Sequence, residues 1–174
     1  MAEVGVLAQD ARVELIQGEI IDRVLIGSPH ASVVNALARV FFQAVGERAI
    51  VSVQQPIRLD RYSEPQPDLT VVKPRADFYR TAHPTPSDVL LLIEVSDSTL
   101  RYDREIKLPL YASHAIPEVW ILDINHKIIH RFVQATKRTY TAVTTLGDGV
   151  VALSNLPGVS VDLSGLLNFE MAEL

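Results

Sequence analysis

Residues 90–96 of this chain have the sequence LLLIEVS, in which one acidic side chain, Glu94, ends a run of four apolar residues. A short apolar run bounded by polar residues is typical of a strand in the centre of a sheet. An unpaired buried carboxylate costs several kcal/mol or gives up its charge, so it needs a cation, a proton or a strong hydrogen-bonding partner. The run therefore predicts a central strand, and the rest of the chain has to supply a partner for Glu94.

The length of 174 residues is enough for one domain, which we place at residues 1–174. No cysteine is present, which excludes disulfides, thiolate catalysis and cysteine-based metal sites and suits a reducing cytoplasm. Any metal must therefore bind through oxygen or histidine ligands. The N-terminus lacks the pattern of a signal peptide, and no apolar run approaches the roughly 20 residues of a membrane span. We expect a cytoplasmic protein with no membrane contact.

Two segments have the periodicity of helices. Residues 28–46 place apolar side chains on one stripe, as an amphipathic helix does, with Ser28 as the expected cap. Residues 98–116 predict a second helix, in which Pro109 removes a backbone hydrogen bond. This proline should kink the helix or mark a late first turn.

Segments rich in β-branched residues and bounded by turn residues predict strands. These segments are residues 18–27, 49–59, 68–74, 88–96, 118–124, 127–134, 139–146 and 158–163. The later strands are close enough in sequence to be joined largely as hairpins. The pattern predicts an α/β fold with a mixed central sheet, helices on at least one face and a C-terminal run of antiparallel strands.

Two acidic residues stand at the ends of predicted strands. Asp68 opens one strand and Glu94 closes another, so the two carboxylates can meet if these strands are neighbours. Two anions in one small site repel each other. A hard divalent cation such as Mg²⁺ relieves both that repulsion and the cost of desolvation.

Lys107 is the side chain that could place a positive charge beside Asp68 and Glu94. It lies one helical turn after Asp103 and one turn before Tyr111, so the three side chains share a helix face. A lysine near a metal and a phosphate can hold or polarise the attacking water, or stabilise developing negative charge. The sequence therefore places a possible catalytic lysine on the helix that follows the Glu94 strand.

Each candidate also has a simpler interpretation. Asp68 could be a strand-start residue, and Glu94 could form a structural ion pair with Lys107. His30, near a helix start, could contact a phosphate or only cap the helix. Gln54 could contact the site or a base edge, because neighbouring residues of a strand face opposite sides.

Four ordered blocks of the sequence stand out together: ELIQGEI at 14–20, PQPDLTVV at 65–72, LLIEVSDSTLRYDREIKLPLY at 91–111 and IPEVWILD at 116–123. They resemble the Uma-type "putative restriction endonucleases", a branch of the PD-(D/E)XK nuclease superfamily. The resemblance implies a restriction-endonuclease-like core and cleavage of DNA that depends on Mg²⁺ or Mn²⁺.

The same resemblance implies roles for individual residues. Asp68, Glu94 and the main-chain carbonyl of Val95 would hold the metal. An acid of the first block, with Glu19 preferred over Glu14, would complete the catalytic site.

In one respect the chain differs from the superfamily pattern. A lysine is expected two residues after the glutamate, where this chain has Ser96. Relocation of that lysine to a neighbouring helix is a known variation in the superfamily, so Lys107 is the candidate replacement. If Lys107 does not reach the site, catalysis is in question although binding is not.

Three functions are compatible with these observations. The first is a metal-dependent DNA endonuclease, for which a homodimer is the simplest way to cut both strands of a duplex. The second is a nucleic-acid-binding or protein-interaction domain without turnover, favoured by Ser96 and by the formal net charge of −5. The third is a small-molecule or nucleotide hydrolase with the same metal site.

The basic residues predict at most a local contact with a phosphate backbone. The candidates are Arg101 and Arg104, together with three basic residues before the Glu94 strand, Lys73, Arg75 and Arg80. These side chains could equally form a solvated face.

Overall fold

The structure is a computed structural model, and it describes residues 13–23 and 26–167. Six strands form a central mixed sheet in the order β3-β4-β5-β6-β7-β8. They are β3 (Ile50–Val53), β4 (Leu69–Val72), β5 (Val89–Ser96), β6 (Glu118–Asp123), β7 (Ile128–Ala135) and β8 (Tyr140–Leu146). Only β5 and β6 pair in parallel within this sheet, because the chain between them crosses one face as a helical segment. The predicted mixed sheet is confirmed.

The apolar run around Glu94 forms the buried centre of this sheet. Successive residues of β5 face opposite sides. Leu91 and Ile93 pack with helix α1 (Ser28–Val45) in one core cluster, whereas Leu92 belongs to a second cluster on the other face. Glu94 has the same parity as Leu92 and therefore faces the second layer.

Helix α1 begins one residue earlier than a cap at Ser28 would require. Gly27 is the N-cap residue, Ser28 is the first helical residue, and no side chain caps the helix. The prediction of Ser28 as the cap was therefore wrong. Pro29 follows in the first turn, where its missing N–H costs nothing. The helix ends at Gly46, whose positive φ of 52° suits a glycine.

The second helical layer is one continuous segment with a wide turn in its middle. It consists of α2 (Leu100–Tyr102), a π-helical turn (Asp103–Lys107) and α3 (Leu108–Ser113). The N–H of Leu108 bonds to the carbonyl of Asp103, five residues back. Pro109 then falls in the first turn of α3. The expectation of a late first turn at Pro109 is confirmed.

Two small hairpins flank the sheet. Strands β1 (Val13–Ile16) and β2 (Glu19–Asp22) are antiparallel, joined by Gln17 and Gly18, both with positive φ. Such a two-residue turn matches the twist of a hairpin. Strands β9 (Val150–Ala152) and β10 (Ser160–Asp162) form the other hairpin.

The structure shortens two predicted strands and adds two unpredicted ones. Of the strand predicted at 18–27, the described residues form a strand over β2, and residues 24–25 lie outside the described part of the chain. The strand predicted at 49–59 ends with β3. Pro56 follows β3 and cannot donate to a ladder, which explains the early end. Strands β1 and β9 are short and were not predicted as strands. No helix in the described part of the chain is long and apolar enough to cross a membrane.

Candidate functional site

An open cleft of about 370 Å³ lies where β4 begins and β5 ends. Strands β4 and β5 are antiparallel, with Leu69 opposite Ile93, so the start of one strand lies beside the end of the other. Asp68, Glu94 and Lys107 all line this cleft. The structure therefore brings together an acid from each strand and a lysine from the helical layer.

Asp68 is held as an anion by three donors. Its Oδ2 accepts hydrogen bonds from the Val95 N–H at 2.9 Å and from His30 Nε2 at 3.1 Å, and its Oδ1 accepts one from Gln54 Nε2 at 3.2 Å. Burial alone would raise the pKa of Asp68, but the hydrogen bond and charge of His30 and the Val95 N–H hold it below its usual value. Burial likewise would lower the pKa of His30, but Asp68 outweighs it and the pKa is raised. The raised pKa of His30 and the lowered pKa of Asp68 both favour the charged form of this pair.

Glu94 is buried and shares one oxygen between two donors. Lys107 Nζ lies 3.2 Å from Glu94 Oε1, and the Tyr111 hydroxyl donates to the same oxygen at 2.5 Å. Burial raises the pKa of Glu94 to about 8, opposed by the charge of Lys107 and assisted by the surrounding acids, among them Asp68. A large fraction of Glu94 therefore holds a proton at neutral pH when no cation is bound.

Lys107 is a buried ammonium between two carboxylates. Its Nζ lies 3.1 Å from Glu14 Oε1 as well as near Glu94. Burial would lower the pKa of Lys107, but the charges of Glu94, Glu14 and Asp103 raise it above its usual value. The lysine therefore stays charged, and it is one of the two hydrogen-bond donors to Glu94.

Of the two acids in the first block, Glu14 lies in the cleft. It is buried on β1, and its Oε1 also accepts a hydrogen bond from the Gln66 N–H at 3.0 Å. Glu19 is exposed beside the hairpin turn and is not among the residues that line the cleft. Glu14 pairs with Ile21, which does line the cleft, whereas Glu19 lies two residues closer to the turn. The preference for Glu19 is therefore corrected in favour of Glu14.

The basic residues do not form one cluster. Arg75 and Arg80 lie in the loop that follows β4 and precedes β5, at the opposite end of these strands from Asp68 and Glu94. Arg104 is exposed on the π-helical turn and is not among the residues that line the cleft. A continuous row of basic side chains from this loop to Arg104 would therefore have to extend along the full length of the strands.

Sequence reasoning missed two contacts that shape the site. His30 was considered as a phosphate contact or a cap, yet its Nε2 pairs with Asp68. Its Nδ1 is buried without a partner in the described residues. From the sequence, Ser96 was considered only as the position at which the superfamily lysine is missing. In the structure the Ser96 hydroxyl donates a 2.7 Å hydrogen bond to Asp103. Both contacts join residues far apart in the chain or on different elements, and no local pattern predicts them.

The donor set fits a hydrated hard cation rather than a fully protein-bound one. No three His, Asp or Glu side chains within residues 13–23 and 26–167 converge at the spacing of metal ligands. Asp68 and Glu94 nevertheless present carboxylates to one cleft, and Glu94 Oε2 has no hydrogen-bond partner in the part of the chain described. Mg²⁺ prefers oxygen ligands and keeps several waters, so that one or two carboxylates suffice.

Comparison with known proteins supplies a family and a fold. A family model described as "Uma2: Putative restriction endonuclease" matches residues 2–164. No curated protein matches the sequence. Among solved structures, the chain is similar to the crystal structure of a "putative nuclease belonging to DUF820" from Anabaena variabilis. The TM-score is 0.71, with 15% identity over 95% of each chain, which indicates a shared fold.

Proposed function

Because the chain belongs to the Uma2 family, whose model is described as "Putative restriction endonuclease", we propose that it is a metal-dependent endonuclease that hydrolyses DNA phosphodiester bonds. The restriction-endonuclease-like fold expected from the resemblance is confirmed by the likeness to a solved structure. The observation that carries the proposal is the meeting of Asp68, Glu94 and Lys107 in one cleft at the ends of β4 and β5. These are the residues for which the resemblance implies a catalytic role.

Asp68, Glu94 and the main-chain carbonyl of Val95 would hold Mg²⁺ or Mn²⁺ in this cleft. When bound, the ion supplies charge stabilisation at the phosphate and a water of lowered pKa. Lys107 keeps a positive charge beside Glu94, where it stabilises negative charge that develops on the phosphate or holds the attacking water. Tyr111 donates to Glu94 and fixes the carboxylate on the wall of the cleft.

Other residues have supporting roles in this proposal. His30 pairs with Asp68 through Nε2 and so holds that acid in place at the wall of the cleft. Gln54 donates its amide to Asp68, which favours a role in orienting that acid over contact with a base. Arg104 is exposed beside the helical layer and is available to a DNA backbone.

A plasmid-cleavage assay tests the proposal. The purified protein should nick or linearise DNA with Mg²⁺ or Mn²⁺, and a chelator should abolish the cleavage. Asp68→Asn should lose the activity and Lys107→Met should fall to a low residual rate, whereas Asp162→Asn, at an exposed position of β10, should keep the activity. No metal-dependent cleavage of single- or double-stranded DNA or RNA by the unmodified protein would overturn the enzyme claim.

A domain that keeps the fold without turnover is the second candidate. The observation in its favour is that each acid already has a cation of the protein as partner, His30 for Asp68 and Lys107 for Glu94. On this alternative, calorimetric titration shows no Mn²⁺ binding to the unmodified protein or to Asp68→Asn, and neither protein cleaves DNA. Binding of Mn²⁺ that disappears in Asp68→Asn would exclude it.

We also propose duplex DNA as the substrate, a homodimer as the working state and a cytoplasmic location. Two related sites are the simplest way to cut both strands of a duplex. The absence of cysteine suits a reducing compartment. Light scattering of the purified protein with and without a DNA duplex measures the oligomeric state, and a monomer in both conditions would contradict the dimer.

A further inference from the structure

Ser96 and Asp103 join the end of β5 to the helical segment that carries Lys107. The Ser96 hydroxyl donates a 2.7 Å hydrogen bond to Asp103 Oδ2, and the Thr99 hydroxyl donates a second 2.7 Å bond to the same oxygen. Ser96 is fully buried and Asp103 is 3% exposed. Hydrogen bonds to a buried carboxylate are short and strong, so they fix the helical segment against the strand.

Asp103 and Lys107 are the first and last residues of the π-helical turn. Both are buried, whereas the three residues between them are exposed. The wide turn therefore presents its two ends to the interior and its middle to solvent. Single π-helical turns within α-helices occur frequently at functional sites.

The placement of Lys107 depends on this turn. Its ammonium has to lie between Glu94 on β5 and Glu14 on β1, within 3.2 Å of each carboxylate. A long lysine side chain has several rotatable bonds, and its burial costs conformational entropy. A fixed backbone at the turn reduces the range of positions that the ammonium can take. Asp103 is the residue that ties that backbone to β5.

We propose that Asp103 is a positioning residue which, held by Ser96 and Thr99, fixes the π-helical turn so that the Lys107 ammonium lies between Glu94 and Glu14. The effect of this positioning on the reaction rate rests on the proposed function, but the placement of Lys107 can be measured without any activity. A purely structural Asp103 would affect stability without acting through Lys107.

Amine labelling read by mass spectrometry tests the placement of Lys107. The chain has four lysines, and Lys73, Lys127 and Lys137 are exposed, whereas Lys107 is 6% exposed. In the unmodified protein Lys107 should label far more slowly than the other three. In Asp103→Ala its labelling rate should rise by at least about tenfold, because the turn opens locally.

Two variants separate the hydrogen bonds from other effects of the substitution. Asp103→Asn keeps an oxygen that accepts both hydroxyls, so Lys107 should stay largely protected. Glu105→Gln, on the exposed face of the same turn, is the matched control and should leave Lys107 protected. If Asp103→Ala does not fold, Ser96→Ala with Thr99→Val removes both donors and should release Lys107 in the same way. Lys107 that stays protected in a folded variant of either kind would overturn the proposal.

A double-variant cycle measures the kinetic role. Asp103→Ala should lower kcat about 10- to 100-fold, because a misplacement of about 1 Å in an active site costs up to that much. In a Lys107→Met background, Asp103→Ala should lower the residual rate by less than about twofold, since both variants remove the same interaction. An equal loss in both backgrounds would show that Asp103 does not act through Lys107. If the unmodified protein cleaves no nucleic acid, the proposed function fails, and the labelling result still decides the placement.

Discussion

The ammonium of Lys107 lies 3.2 Å from Glu94 Oε1 inside the protein, where both side chains are almost fully buried. The same ammonium contacts Glu14, so one cation balances two carboxylates. This arrangement keeps the lysine charged and leaves Glu94 only partly ionised. Loss of the Lys107 charge would therefore raise the pKa of Glu94 further.

Removal of Lys107 should destabilise the protein. Lys107→Met leaves two buried carboxylates without their cation, and breaking a buried pair in this way costs about 3–5 kcal/mol. The loss should be smaller at pH 5 than at pH 8, because the carboxylates can then take up protons. Urea denaturation with a chelator measures it, and Lys127→Met, at an exposed position, is the control. Equal stability of Lys107→Met and the unmodified protein would mean that the buried pair is not formed.

The stability of the metal-free protein should fall as the pH rises from about 4.5 to about 8 through the contribution of Glu94. Its pKa rises from 4.5 to about 8 on folding, so in this window the folded state binds more protons than the unfolded state. The slope from this one group is at most about 1.4 kcal/mol per pH unit. Glu94→Gln removes the titration, so the difference between the two proteins in denaturation experiments isolates it. Parallel pH profiles would show that the pKa of Glu94 is not raised.

The pKa of His30 should depend on Asp68. In the unmodified protein the charge and hydrogen bond of Asp68 raise this pKa against the effect of burial. In Asp68→Asn burial remains while the charge of Asp68 is lost, so the pKa of His30 should fall from its raised value. NMR titration of the imidazole signals measures the change, with the exposed His126 as the reference. An unchanged His30 titration would contradict the ion pair.

Metal binding should raise the thermal stability. A ligand that binds only the folded state stabilises it by about 2.7 kcal/mol at a concentration of 100 Kd. Thermal melts with Mn²⁺ should show an increase in Tm for the unmodified protein and for Asp162→Asn, but not for Asp68→Asn or Glu94→Gln. Sodium chloride at equal ionic strength controls for screening. A shift that persists in both acid variants would place the metal elsewhere.

Glu14 and Glu19 should differ sharply when each is replaced by glutamine. Glu14→Gln removes one of the two carboxylates at Lys107 and should reduce DNA cleavage and speed the labelling of Lys107. Glu19→Gln changes an exposed side chain beside a turn, and both measurements should match those of the unmodified protein. Loss of cleavage in Glu19→Gln with Glu14→Gln unaffected would reverse the assignment made from the structure.

Most of the secondary structure could be predicted from local pattern. The helix at 28–46, the strands around the acids and the position of Pro109 in a first turn all follow from periodicity and backbone chemistry, and the structure contains them. The errors in the secondary-structure prediction also concern short segments and single positions. Ser28 was given the role of cap, but Gly27 holds that position, and short strands such as β9 carry too few residues for a pattern.

The sequence by itself determined that Glu94 is buried and needs a partner, because burial of the LLLIEVS run follows from its own apolar residues. It also determined the candidate metal acids and the candidate lysine. Only the tertiary structure decided that Glu14 rather than Glu19 meets that lysine, that His30 pairs with Asp68 and that Ser96 holds Asp103. These contacts depend on the register of β1 with β2, the antiparallel pairing of β4 with β5 and the docking of the π-helical turn on the sheet. Such pairings join residues distant in the chain, and their free energy comes from the packed whole rather than from any segment.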